Sequence, residues 1–580
     1  MTNALAPIVL TSDASLAFVP ERVLDDLVRW AAERPHATFV AERDGAGWRT
    51  LTYGDALLRV RATAAGILAL GATAERPVAV LADNGIDHAI VAHAAMYCGV
   101  PVSPLSTGYA RGDADPQRLR ALLDVLDPAL IYAGDDGIAA RVRASGSTLP
   151  VFTSIVELHG ADVARADAAF ASVNAGTVAK VLFTSGSTGT PKGVLTTNLM
   201  LSSNQSMIAQ AWPQTTIDPV LVDWLPWSHC FGGSHNFGIA LRNGGAYYVD
   251  AGKPVPGLFA TTLANLREIA PTSYYTVPRG FALLLDALER DAALATTFFS
   301  RVRLLCNAGA ALPDATRARL EALTATYAAD RNVAIISSWG TTETAPLATG
   351  CWGSPLPAHD SIGVPMPGVA IKLAPDGGRY EICVQGPNVT PGYWRNAAAT
   401  AAAFDEEGFY RTGDAVALRD PADPARGIDF RGRIAENFKL SSGTWVNVGS
   451  LRLALSDAAA PLIEDVIVAG HDTDAIGVLV FFALDHARNA AGLPEADRAA
   501  LARHPAVREC IRSAFAAHNA NAAGGSTRVT RALLLDDAPN RGEGEITDKG
   551  SINQQRALTL RAAAVALLLG PPHADVIALP

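Results

Sequence analysis

The sequence predicts an α/β fold divided into more than one domain, and three observations carry that expectation. Short apolar runs alternate with helical periodicities over most of the first 400 residues, the pattern of strands layered with helices and paired largely in parallel. The stretch 302–337 reads as a complete strand–helix–strand unit. After about residue 365 short strands and turns dominate, which marks a smaller β-rich subdomain. A chain of 580 residues also exceeds the ~100–200 typical of one domain. The expected division is 1–432 and 433–580, with the β-rich subdomain at about 365–432.

Taken in order, 78–82, 130–133, 178–183 and 221–225 read as buried strands, and 87–97 as a helix after the first of them. In the clearest unit, strand 302–306 ends in Asn307-Ala308-Gly309-Ala310-Ala311. Helix 314–328 follows, opened by Pro313, whose fixed φ suits a first turn. Strand 333–337 then ends in Trp339-Gly340-Thr341-Thr342-Glu343. A right-handed crossover puts both loops at one sheet edge, the carboxyl edge at which open α/β sheets bind ligands. Short strands at 381–385 and around Tyr393 and Tyr410 make the β-rich part. Beyond Arg433, runs at 466–469 and 478–482 read as strands and Ala-rich segments as helices; the apolar stretch 563–570 reads as a packed helix.

Composition narrows the function classes. With 49% hydrophobic and 18% charged residues, the chain can bury a large core and is not globally disordered. A net charge of -10 argues against a general nucleic-acid binder, yet leaves room for an anionic ligand held by backbone N–H groups. Six scattered cysteines at no zinc spacing read as reduced, mostly buried thiols. No basic segment followed by an apolar one opens the chain, and no run approaches the ~20 apolar residues of a membrane span. A cytoplasmic protein is therefore expected.

Residues 181–194 read VLFTSGSTGTPKGV. An apolar strand feeds a loop with hydroxyls at Thr184, Ser185, Ser187, Thr188 and Thr190, spaced by Gly186 and Gly189 and followed by Pro191-Lys192-Gly193. Glycines let successive N–H groups converge on an anion, hydroxyls add donors, and Lys192 adds a full positive charge. The combination suits a polyphosphate. It is not a Walker A loop, because Gly-Lys-Ser/Thr is absent.

This loop resembles the signature of the adenylate-forming superfamily of acyl-CoA synthetases, adenylation domains and luciferases. Further motifs follow in the same order: Trp339-Gly340-Thr341-Thr342-Glu343-Thr344, Ser361-Ile362-Gly363-Val364-Pro365, Gly386 to Gly392-Tyr393-Trp394, Tyr410-Arg411-Thr412-Gly413-Asp414, and Gly432-Arg433. The resemblance spans about residues 50–550 and implies a mobile α+β C-terminal lid after 432. It also implies ATP, Mg²⁺ and coenzyme A as ligands. In that setting Thr184–Thr190 and Lys192 cradle phosphates, Asn307–Ala311 flank the adenine, and Trp339–Thr342 continue the nucleotide site, with Thr342 near the α-phosphate. Glu343 is the Mg²⁺ ligand, its hard oxygens matching that ion. Asp414 takes the ribose hydroxyls, and Arg433 forks onto ribose or phosphate. His229, Phe231, Val277, Phe281, Asn307 and Gly309 are expected around the acyl group. His229 either closes that site or is a satisfied structural histidine; it is no general base, because a carboxylic acid is already ionised at pH 7.

The C-terminal part departs from the usual pattern. Ala435 stands where a charged hinge residue is common, Gly449-Ser450-Leu451-Arg452 replaces the Pro-x-Glu after the Gly turn, and the Pro-x-x-x-Ser-Gly-Lys ending is missing. Lys549, in Glu545-Ile546-Thr547-Asp548-Lys549-Gly550, is the candidate catalytic lysine. With Phe438-Lys439-Leu440 and Gly443-Thr444-Trp445-Val446, this tail looks like the feruloyl-CoA synthase branch, which activates hydroxycinnamates from lignin-derived aromatics. Lys549 is expected to serve acyl-adenylate formation, and the Lys439 face to enter for thioester formation after a domain rotation. The alternatives are an adenylation module loading a carrier protein, or a synthetase for benzoate or medium-chain fatty acids. Expected partners are small molecules, with homodimerisation left open.

Overall fold

The structure is a computed structural model. It describes residues 5–580 apart from 113–114, 185–190, 256, 310–311, 354–360, 377–378, 523, 541–542 and 547–551. Contacts group the chain into two compact units, the first ending at Asp429 and the second formed by Phe430–Pro580 with 379–381 and 413–417.

The first unit is α/β, with mixed sheets, as the patterning predicts. A six-stranded sheet runs in the order Val151–Phe152, Leu130–Ala133, Val78–Leu81, Val102–Pro104, Val178–Thr184, Lys192–Thr197. Its strands pair in parallel except the last, which returns antiparallel on Val178–Thr184 with Thr184 opposite Lys192. The residues of Val78–Leu81 and Leu130–Ala133 are all buried. That explains their unbroken apolar runs: a parallel strand covered on both faces has no solvent side to make polar. A four-stranded sheet comprises Val220–Asp223, Ala246–Val249, Thr38–Asp44 and Gly47–Thr52.

The third sheet positions the site. Ser273–Thr276, Leu304–Asn307 and Ala334–Gly340 are parallel neighbours, followed antiparallel by Leu347–Gly350 and Val364–Pro365. Helix Asp314–Tyr327 crosses between the second and third strands. Thr276 pairs with Asn307 and Asn307 with Ser337, so the loops after all three strands emerge at one edge. Beneath them, Tyr274, Phe281, Leu284, Phe298, Phe299 and Leu305 form one apolar cluster. In the β-rich part, Ile8–Thr11 lies antiparallel on Ala370–Asp376.

The second unit is built on a sheet ordered Ile463–Ala469, Ile476–Phe482, Val529–Leu534, Val576–Ala578. All seven residues of Ile476–Phe482 are buried. Alternate residues of this strand face different cores: Val478, Val480 and Phe482 join one cluster, Leu479 and Phe481 another. Helix Ala562–Leu569 packs on the second cluster through Leu568, as its apolar sequence implies.

Candidate active site

The strand Val178–Thr184 and its return Lys192–Thr197 flank the expected phosphate loop. The loop residues Ser185, Gly186, Ser187, Thr188, Gly189 and Thr190 lie outside the described residues, as do Ala310, Ala311 and Lys549. What is described is how the two sides of the loop are anchored. Trp394 N donates to the Gly193 carbonyl (2.7 Å) and Leu195 N to that of Gly392 (3.1 Å), so the Gly-Tyr-Trp motif is stitched onto the returning strand. Gly193 has to be glycine: a Cβ there would stand 2.7 Å from Val181 Cγ1 and 3.1 Å from Trp394 Cβ. This contact brings the Tyr393 ring beneath Lys192, whose Nζ lies 5.2 Å from the ring centroid.

Tyr393 also reaches the next motif. Its hydroxyl donates to Glu343 Oε1 (3.0 Å) and lies 3.4 Å from the Tyr410 hydroxyl. Burial, then the charge of Glu343, pushes both phenols well above their ordinary range. They therefore stay protonated beside the carboxylate. Glu343 sits in a short 3₁₀ turn, Thr342–Thr344, and is buried. Its carbonyl accepts from Thr390 N (2.8 Å), and Asn388 Nδ2 donates to the carbonyls of Thr344 (3.0 Å) and Leu347 (2.8 Å). Gly340 admits this tight turn, since a Cβ would fall 1.6 Å from the Pro346 oxygen.

Thr342, also buried, meets Cys230, with Oγ1 3.6 Å from Sγ. His229 is half-buried, and its Nδ1 accepts from Phe231 N (3.2 Å) with Cys230 Sγ at 3.8 Å. Lys192, Tyr393, Tyr410, Glu343, Thr342, Cys230 and His229 thus form one connected group. Asn307 and Ala308 end the central parallel strand, with Ala308 N bonded to the Thr276 carbonyl (3.3 Å). Gly309 follows them, Val277 follows Thr276, and Trp339 precedes Gly340 on the same edge.

One expected pocket residue is placed differently. Phe281 is 1% exposed and packs edge-to-face on Tyr274 in the apolar cluster. Successive strand side chains point to opposite faces, so Tyr274 and Phe281 belong to the side turned away from Tyr275. Phe281 is core.

In the second unit, Arg433 Nε pairs with Asp414 Oδ1 at 3.0 Å; the Arg433 side chain is half exposed and Asp414 buried. Lys439 lies in a small hairpin, Phe438–Lys439 against Trp445–Val446, and its exposed Nζ stands 5.0 Å from the Trp445 ring. Arg452, one of the departures from the usual pattern, forms an ion pair with Asp465 (2.6 Å).

A single buried carboxylate, one oxygen already holding a phenol proton, fits a cation that draws its other ligands from phosphate and water. No group of three or more His, Cys, Asp or Glu able to hold a metal alone occurs among the described residues. Sequence reasoning missed the polar residues around the π-helical turn Phe231–Asn236, namely Lys180, Asp223, His235 and Asn236. Lys180 Nζ donates to the Gly233 carbonyl (2.5 Å) from inside the core, and burial lowers it to about 8. A lysine within an otherwise apolar strand was the available signal.

The AMP-binding enzyme family matches residues 27–394. A propanoyl:CoA ligase of Rhodococcus jostii, named for a 7a-methyl-1,5-dioxo-octahydroindenyl acid, is 29% identical over 428 residues, covering 68% of this chain and 76% of that one. The L-proline--[L-prolyl-carrier protein] ligase of Streptomyces coelicolor is 29% identical over 441 residues, covering 70% and 77%. Among solved structures, ATP-bound MatB from Rhodopseudomonas palustris superimposes with a TM-score of 0.69 at 21% identity, covering 94% of this chain and 99% of that chain. The A domain of carboxylic acid reductase from Segniliparus rugosus, in complex with AMP and a co-purified carboxylic acid, gives 0.72 at 18%, covering 94% of each. With the family matched over residues 27–394, the chain belongs to the AMP-binding enzymes.

Proposed function

We propose that the chain is an ATP-dependent acyl-CoA synthetase for hydroxycinnamic acids of the ferulate type. The observation that carries adenylation is the Lys192–Tyr393–Glu343 group beside the loop 185–190: a cation and a carboxylate held by one tyrosine. Coenzyme A as acceptor is supported by the relatives named as CoA ligases. The ferulate-type substrate is supported by the resemblance of 438–446 and 545–554 to the feruloyl-CoA synthase branch, and by the aromatic group Phe231, His235 and Tyr275.

In the first half-reaction a carboxylate oxygen attacks the α-phosphorus, an O–P bond forms, and the bond to the β-phosphate bridge breaks to release pyrophosphate. The demand is charge placement and alignment, which pre-set groups supply. Loop 184–190 and Lys192 would hold the β- and γ-phosphates, Thr342 the α-phosphate, Asn307–Ala311 and Trp339–Thr341 the adenine side, and Asp414 with Arg433 the ribose. Mg²⁺ held by Glu343 would neutralise the leaving pyrophosphate. Lys549 would meet the carboxylate and the α-phosphate. In the second half-reaction the thiol sulfur of coenzyme A attacks the acyl carbon, the acyl–phosphate bond breaks, AMP leaves, and the thiol proton passes to solvent. The Lys439–Gly443 face would serve this step.

A second reading, loading of a carrier protein, is favoured by the Streptomyces relative. The deciding assay offers ATP and free coenzyme A with ferulate, coumarate, caffeate, benzoate or octanoate. Thioester from the first three supports the proposal. Adenylate without thioester supports carrier loading, and turnover confined to benzoate or octanoate moves the substrate class.

A further inference from the structure

The π-helical turn Phe231–Asn236 is held by several buried polar contacts. Lys180 grips the Gly233 carbonyl and lies 3.4 Å from Ser234 Oγ. Gln205 Nε2 donates to the carbonyls of Ser234 and His235, both at 3.1 Å. At its end a side-chain relay runs inward. Asn236 Nδ2 donates to Asp223 Oδ2 (2.7 Å), which also accepts from the Tyr247 hydroxyl (2.7 Å). A carboxylate only accepts, so Asn236 must turn its amide nitrogen to Asp223 and its oxygen to His235. Asn236 Oδ1 stands 2.8 Å from His235 Nδ1. An amide oxygen also only accepts, so the proton of His235 is on Nδ1 and Nε2 carries a lone pair.

Among the described residues that lone pair has no hydrogen-bond partner, although His235 is 1% exposed. Burial lowers His235 to about 4, so the ring is neutral at working pH. A buried acceptor without a donor costs about 1–3 kcal/mol, so one left in place asks for a function. Its surroundings say what kind. The His235 ring is 5.3 Å from Tyr275 and 5.4 Å from Phe231, both near edge-to-face. Tyr275 is the last residue but one of Ser273–Thr276, on the carboxyl edge that carries Asn307, and Phe231 belongs to the expected acyl site. An acceptor set among aromatic rings fits a ligand with a flat apolar body and a hydroxyl donor at its far end. π-Turns recur at functional sites because they aim a side chain that a regular helix would turn elsewhere.

We propose that His235 is a specificity-determining residue that accepts a hydrogen bond from the ring hydroxyl of the acid, with Asn236 and Asp223 as positioning residues that fix its tautomer. This rests on the hydroxycinnamate reading of the same site. It predicts that 4-hydroxycinnamate is preferred to cinnamate and to 4-methoxycinnamate, neither of which can donate, by about 10- to 100-fold in kcat/KM.

The test measures acid-dependent pyrophosphate release with these three acids for the wild type, His235→Phe and His235→Gln. The expected result is a preference that collapses towards one in His235→Phe and largely survives in His235→Gln, which keeps an acceptor. A preference unchanged in His235→Phe, or a wild type indifferent to the hydroxyl, overturns the inference and leaves the synthetase reading standing. No turnover of any cinnamate overturns this inference together with the hydroxycinnamate substrate class on which it rests. Because a buried substitution can spoil folding, ¹⁵N NMR of wild-type His235 gives a second reading. Nε2 should shift on binding 4-hydroxycinnamate and not on binding cinnamate. The same shift with every acid means that a trapped water is its partner and contradicts the assignment.

Discussion

Glu343 and His235 are both buried polar groups near the carboxyl edge of one sheet, and they are finished differently. Around Glu343, Tyr393 binds one carboxylate oxygen, Thr390 the main chain, and Asn388 the residues after it. Around His235 the side-chain contact is to one nitrogen, and among the described residues Nε2 has no partner. Under the proposed function, the first arrangement holds a carboxylate for the metal-bound triphosphate, and the second offers an acceptor to the ring hydroxyl of the acid.

That comparison can be broken at graded strength. The largest effect is expected from Lys549→Ala, which should slow acyl-adenylate formation by on the order of 10³-fold while sparing thioester synthesis from supplied acyl-adenylate. Rapid-quench measurement of the two half-reactions checks it, and equal damage to both would remove Lys549 from its assigned role. Next, Glu343→Gln should lower ATP–pyrophosphate exchange by on the order of 10²-fold and raise the Mg²⁺ concentration needed for ATP binding, read by calorimetry. Tyr393→Phe removes one hydrogen bond to a charged acceptor and should cost about tenfold in the same exchange, with its Mg²⁺ dependence shifted in the same direction.

The motif residues around Glu343 were visible in the sequence as glycines, hydroxyls and a carboxylate in a fixed order. So were the strands 78–81 and 130–133, whose residues are apolar throughout because both faces are covered. Tyr393 and Tyr410 were visible as motif letters, but their grip on Glu343 was not, since 50 residues separate Tyr393 from the carboxylate it holds. Phe281 looked like a pocket residue by its place after Val277, yet helix Pro278–Arg290 turns it into the core. The Asp223–Asn236–His235 relay had no sequence signal at all. It joins a strand end to a π-turn, and only tertiary packing brings these together.

The smallest effect concerns pH. Burial lowers His88, His93 and His235 from 6.5 to about 4. The unfolded chain therefore takes up their protons first, so this share of stability is complete above pH 6.5 and is lost as pH falls towards 4. Asp26 and Asp223, raised to about 6 by burial, act in the opposite sense between pH 3.8 and 6 and offset part of the loss. Urea midpoints at pH 7, 5.5 and 4.5 should fall in that order, and a midpoint that rises on acidification would show that the raised carboxylates outweigh the three histidines.

The most direct measurement of the central claim is exchange of labelled pyrophosphate into ATP without coenzyme A, with and without ferulate. The proposal predicts ferulate-dependent exchange that Glu343→Gln nearly abolishes. Exchange that is absent with every acid offered, or that persists undiminished in Glu343→Gln, would contradict it.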